Sequence, residues 1–292
     1  VTLPDNLTTL GQGMFSNCTA LQTITLPSSL TSLPNDFMEK CTSLKTIKIP
    51  NVTSIGNYAF DGCTSLLNVD FADVDKLTSF GTYVFRNCSS LNNVVLPSSV
   101  TTIGNYAFQA SGLTEIVIPA SVKKLGTTTT TGSVFADCNS LVSVTLPESL
   151  TTIYGSVFEN CTALTEITIP SSVTILGNKV FKGCTSLTKA EIKGAIKTCG
   201  TYLFAECSSL TDVTINAKST KTGSYMFQKC TSLTNVVLPT SLASSGLSTY
   251  LFDGCTSLES IEIPSSVTQI PSYFARNCSM LKNVVVKGKF TS

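Results

Sequence analysis

A cysteine-bearing phrase written again and again constrains this chain more than any other feature. FDGCTSL occupies Phe60–Leu66 and recurs letter for letter at Phe252–Leu258, with FKGCTSL at Phe181–Leu187. Its cysteine marks a column: Cys18, Cys41, Cys63, Cys88, Cys138, Cys161, Cys184, Cys207, Cys230, Cys255 and Cys278, mostly 23 residues apart. Between Cys88 and Cys138 one further copy, AFQASGLTEIVIP, carries Ser111 at the cysteine position. The chain therefore reads as about twelve copies of L-x-x-I-x-L-P-x-S-L-T-x-I-G-x-x-A-F-x-x-C-T-S, and only Cys199 stands outside the column. A period of this length signals a stacked array, in which each unit touches only its neighbours and the stack supplies the core. Residues 1–292 are accordingly expected to form one solenoid domain. The opening VTLP falls in mid-unit, so the chain reads as a fragment of a longer protein.

Each unit predicts three sides. In LQTITLP (21–27), Ile24 and Leu26 alternate with Thr23 and Thr25, the period of a strand with one buried face. Pro27 ends it, because proline cannot donate to a ladder. SSLTSL follows as a second extended segment, with Leu30 and Leu33 directed inward. In IGNYAFDGC (55–63), Gly56 suggests a turn and Asn57 an N-cap, so one turn of α or 3₁₀ helix carrying Ala59 and Phe60 is expected per unit. Stacking the first segments gives a parallel sheet with one strand per unit at about 4.8 Å spacing. Phenylalanine recurs at one position from Phe15 to Phe252, replaced by Met38 and Ala275; both exceptions carry phenylalanine one place earlier, at Phe37 and Phe274, which suggests a locally rotated turn.

An even number of cysteines invites disulfides, but stacked coils hold neighbouring Cβ atoms about 4.8 Å apart on parallel vectors. A disulfide needs about 3.5–4.5 Å and a particular torsion. There is no C-x-x-C and no histidine, so a metal site is not expected either. The cysteines are read as a structural ladder of small buried side chains. The missing histidine also removes the usual general base, and neither a phosphate-binding nor a dinucleotide motif is present. No enzyme activity and no cofactor are expected. A net charge of +1 argues against nucleic acid as a partner, and no apolar run reaches the roughly 20 residues of a membrane span.

The pattern LxxIxLPxSLTxIGxxAFxxCTSL resembles the leucine-rich repeats of BspA-like, or Treponema pallidum-type, surface proteins. The resemblance covers essentially the whole chain and implies a leucine-rich-repeat solenoid: an α/β-type, β-rich, right-handed horseshoe with a parallel concave sheet and short extended or 3₁₀ turns outside. It further implies a cell-surface or secreted location, in an anaerobic bacterium, and adhesion to host matrix or neighbouring cells. The departures are mostly at the strand-ending proline, replaced by Ala72, Lys193, Asn216 and Lys287.

Two columns of strand residues face outward on the concave sheet. In the first half they comprise Thr23, Thr46, Asn68, Asn93 and Glu115, beside Thr25, Lys48, Asp70, Val95 and Val117. These are the candidate contacts for a protein partner such as a matrix or cell-surface glycoprotein, with Val95 and Val117 the best small apolar patch. The second candidate is the longest insertion, whose threonines Thr127, Thr128, Thr129, Thr130 and Thr131 lie between Gly126 and Gly132. A rigid spacer without a ligand of its own is the alternative role. Glycan binding is disfavoured, since the concave columns contain no aromatic residue.

Overall fold

The computed structural model describes residues 1–127, 131–216 and 218–288. The chain winds into parallel coils whose strands, where they pair, do so in register: Thr46–Lys48 with Asn68–Asp70, and Glu166–Ile169 with Lys189–Ile192, residue for equivalent residue. The buried alternate residues of these strands, such as Ile47, Val69 and Ile167, join one hydrophobic cluster reaching from Leu3 to Phe274. A second wall is built from two-residue strands: Lys124–Leu125, Thr152–Ile153, Ile175–Leu176 and Thr198–Cys199 pair in sequence order, with Leu125, Ile153 and Leu176 turned inward.

The solenoid matches the expected architecture, with two corrections. Ten of the long strands form among the described residues, not about twelve. Thr25 makes only an isolated bridge to Thr2, and Asn93–Val95 forms no strand. The wall is therefore a series of short sheets and not one continuous sheet. Two of its interruptions, Asp70 to Val95 and Val237 to Glu262, fall where a coil holds 25 residues.

The second correction concerns the third side, which holds no helix among the described residues. Alternate amides of each turn bond forward to the next coil: Tyr58 to the Thr82 carbonyl at 3.0 Å, Phe60 to Val84 at 2.9 Å and Gly62 to Arg86 at 2.8 Å. An amide spent on the neighbouring coil cannot close an i→i−4 bond, so Ala59 and Phe60 sit in a tight turn. Left-handed backbone at Tyr58 (φ 56°) and Gly62 (φ 72°) makes this possible, and the pair recurs in coil after coil. Asn57 caps no helix: its Oδ1 accepts the Thr82 amide, while its own amide bonds Asn35 Oδ1. Glycine before this turn reflects close approach. A Cβ on Gly81 would stand 2.5 Å from the Gly56 carbonyl carbon.

Inside, the phenylalanines from Phe60 to Phe252 stack with centroids 5.3–5.9 Å apart and planes within 22°. Phe37 and Phe274 fill the two irregular coils edge-on, at 85° to Phe60 and 82° to Phe252. The turn itself is not rotated as expected, since its left-handed pairs Asp36/Lys40 and Tyr273/Asn277 and the Met38 amide bond to Ala59 keep the register of the other coils. Two buried carboxylates are held across coils: Arg86 donates Nε and Nη2 to Asp61, and Arg276 does the same to Asp253. Each guanidinium also lies over a tyrosine, Arg86 at 4.4 Å from the Tyr83 ring and Arg276 at 4.9 Å from Tyr250. The Arg276 hydrogen bonds hold the Asp253 carboxyl below the usual carboxylate range.

Phe158 stacks between Phe135 and Phe181 with no exposed surface. Phe158→Ala is expected to cost about 3–5 kcal/mol. Urea titration of both proteins checks this, and a loss under 1 kcal/mol would show that the ladder carries little of the stability.

Candidate functional site

The ten candidate concave residues lie on one wall, all exposed except the half-buried Asp70. Alternation explains it: Ile47, Val69, Val94 and Ile116 go inward and leave their neighbours outside. Val95 and Val117 are the most exposed large apolar residues of the described chain, at 77% and 64%. Asn93, Val94 and Val95 make no backbone hydrogen bond to either neighbouring coil among the described residues. Hollows of about 380 and 370 Å³ open on the two sides of this unpaired stretch, one against Asn68–Ala72 and the other against Glu115–Val117. A third hollow, of about 400 Å³, repeats the arrangement at Val237, where the sheet is broken again. The sequence flagged Val95 and Val117. The broken ladder beneath Val95 depends on contacts between coils, and no residue type announces it.

The two outward columns are acidic over the whole wall. Asp70, Glu115, Glu166, Glu191, Asp212 and Glu262 face Lys48 and Lys189 alone, a net charge of −4 on a chain whose total is +1. Lys193 and Lys287 temper this at the margins by pairing with Glu191 and Glu262, whereas the pairing of Lys48 with Asp73 offsets one of the two column cations. All are exposed pairs of small energetic weight. Asp70 accepts the Ala72 amide at 2.9 Å.

Of the inserted threonines, Thr127 and Thr131 are exposed, and the Thr127 amide bonds Asn105 Oδ1. Thr128, Thr129 and Thr130 lie outside the described residues. The insertion leaves the coil beside the short-strand wall, next to Lys123, Lys124 and Tyr154, and not beside Val95 and Val117. The two candidate regions therefore do not form one site.

The cysteine column is buried between coils, except at the half-buried Cys18 and Cys278, and every thiol is free. Ten thiols share one geometry. Each S–H reaches back to the carbonyl at the phenylalanine position of the preceding coil, as in Cys63 to Met38, Cys88 to Phe60 and Cys161 to Phe135, all at 3.0–3.2 Å. The Phe60 carbonyl already accepts the Cys63 amide, so the Cys88 thiol takes its second lone pair. Alanine would fill part of the space but leave that lone pair unmet. At the serine-bearing corner, Ser111 Oγ and Cys138 Sγ lie 3.3 Å apart. Cys199 lies apart from the column, half-buried at the end of a short strand. No group of three metal-ligating side chains occurs among the described residues.

Tyrosine supplies the feature that sequence reading passed over. Tyr58, Tyr83 and Tyr106 stack at 4.7 Å, and Tyr202, Tyr225, Tyr250 and Tyr273 at 4.6–4.7 Å. The N-Y and T-Y dipeptides two places before the phenylalanine repeat often enough to have revealed these columns.

The BspA type leucine rich repeat region model matches residues 1–74, 128–246 and 220–292, in six copies. The chain belongs to this family. Its fold is similar to a leucine-rich repeat protein from Bacteroides ovatus, 25% identical with a TM-score of 0.57 over 97% of this chain and 86% of that one. It is also similar to a leucine rich cell surface protein from Faecalibacterium prausnitzii, 26% identical with a TM-score of 0.56 over 99% and 87%. A leucine-rich repeat protein from Eubacterium ventriosum is 25% identical, with a TM-score of 0.54 over 89% and 83%. No curated protein matches the sequence.

Burial between coils pushes the column thiols up, Cys41 and Cys138 to about 11 and Cys184 to about 12. An unfolded cysteine ionises near 8.5, so each raised thiol contributes stability that is complete below about pH 8.5 and is lost as pH rises through the folded value. The melting temperature is expected to be flat from pH 7 to 8 and to fall steadily from pH 8.5 to 10, as the free energy of unfolding drops by up to about 1.4 kcal/mol per pH unit for each protected thiol. A scan over that range tests it; a melting temperature still flat at pH 10 would contradict the burial of the column.

Proposed function

We propose that this BspA-type solenoid is a non-enzymatic protein-binding module of the cell surface or of a secreted protein, acting in adhesion to host matrix or neighbouring cells. The reading rests on one observation: exposed Val95 sits on unpaired backbone between two hollows, with exposed Val117 on the paired strand across the second of them, on a wall whose net charge is −4. An apolar patch ringed by polar groups is the usual form of a binding surface. The acidic columns select the partner. A segment carrying an apolar residue with lysine or arginine beside it would place the first on Val95 and Val117 and the second against Asp70 and Glu115. Long-range attraction by this face speeds encounter with basic partners and is screened by salt. The cell-surface character of the Faecalibacterium relative agrees with the location. Free thiols in a secreted protein are simplest to maintain in an anaerobic habitat.

A rigid spacer is the second reading, supported by the unbroken phenylalanine stack and turn-wall hydrogen bonds. Surface binding to immobilised matrix glycoproteins and epithelial cells separates the two, with a Val95→Asp, Val117→Asp variant alongside. The adhesion reading expects saturable binding, weakened at least about tenfold by the two new charges. The exposure of both side chains leaves folding intact. Saturable binding unchanged in the variant would move the site off this face, and no binding at all would favour the spacer.

A further inference from the structure

The short-strand wall has the opposite charge character. Its outer columns run Lys123–Thr151–Thr174–Lys197 and Lys124–Thr152–Ile175–Thr198, of which Thr152 alone is buried. One coil further on, Gly223 packs on Gly200 and so puts Lys221 in the position of Thr198. These columns contain no carboxylate. None of the four lysines joins an ion pair among the described residues, although the Lys123 ammonium donates to the Ala120 carbonyl.

One aromatic residue stands on this wall. Seven of the eight tyrosines stack on one another, and Tyr154 stacks on no ring among the described residues. It follows Ile153 where the adjacent coils have Gly126 after Leu125 and Gly177 after Leu176. Half-buried, it packs beside Gly126 and Gly132, close enough that a Cβ on either would lie 3.2 Å from its own. The residue borders a hollow of about 280 Å³ that Thr101, Thr102, Lys123, Lys124 and Thr127 complete.

An unpaired ring, three threonines and two ammonium groups around one hollow suit a sugar that bears an acid. The electron-rich ring face attracts the polarised C–H bonds of a pyranose, the hydroxyls exchange hydrogen bonds with its own, and the lysines neutralise its charge. The charges are sparse along the wall. From Lys123 to Lys197 is three coil steps, about 14 Å at the spacing of paired strands, whereas duplex DNA carries a charge every ~1.7 Å. A polymer of low charge density fits this wall, and the acidic concave face turns the same polymer away.

We propose that the short-strand wall binds a uronate-bearing polysaccharide, with one sugar ring on Tyr154, its carboxylate at Lys123 and Lys124, and the chain running toward Lys197 and Lys221. This site is separate from the concave one and does not depend on it.

Binding of the whole chain to immobilised polygalacturonate, neutral dextran and a single-stranded oligonucleotide tests the proposal. Polygalacturonate is expected to bind, neutral dextran not. Lys123→Gln with Lys124→Gln is expected to weaken binding about tenfold at 0.1 M salt. Tyr154→Ala should also weaken it while Tyr154→Phe retains it, which separates loss of the ring from loss of the fold. The Val95→Asp, Val117→Asp variant should bind polygalacturonate as before. Unchanged binding in the lysine variant, equal retention on dextran, or tighter binding of the oligonucleotide would each overturn the proposal.

Discussion

Registry between neighbouring coils is the constraint on which the rest of this solenoid depends. A single coil of about 23 residues has no interior of its own, so its phenylalanine, leucine and cysteine are buried only by the coils above and below. The register is held at three depths. Phenylalanine rings stack in the centre, thiols reach back to the preceding coil's carbonyls, and alternate amides of the outer turn bond forward to the next coil. The long strands contribute less continuously, since their ladder breaks into short sheets while the turn wall carries on past each break.

That division lets the sheet carry variation. Because the core and the turn wall keep the coils aligned, strand residues are free to lose their ladder bonds, and both breaks that follow a 25-residue coil open a hollow beneath an exposed valine. Charge follows the same logic. Outward positions contribute little to folding, and on one wall they collect carboxylates while on the adjacent wall they collect lysines. A chain of nearly neutral total charge thus presents two faces of opposite sign, each attracting what the other repels.

Much of this was legible in the residues. The cysteine interval revealed the repeat, alternation in TITL and NVV separated inward from outward positions, and Phe37 and Phe274 announced the two irregular coils. The third side was misjudged for an identifiable reason. Asparagine after glycine is a common helix start, but the test of a helix is where its amides go, and the amides of Tyr58 and Phe60 go to another coil. Tyrosine at left-handed φ was equally hidden. It is a strained choice in isolation, and it becomes intelligible once each ring is seen lying on the ring of the next coil.

The sequence by itself determined the period, the buried columns and the identity of every outward residue, because a strict repeat assigns each position one environment. Only the tertiary structure decided where the strand ladder breaks, which tyrosine is left without a partner, and that the threonine insertion borders the lysine wall and not the valine patch. Those properties arise between coils, from backbone approach and hydrogen bonds linking residues more than 20 positions apart, and no local pattern encodes such a distance.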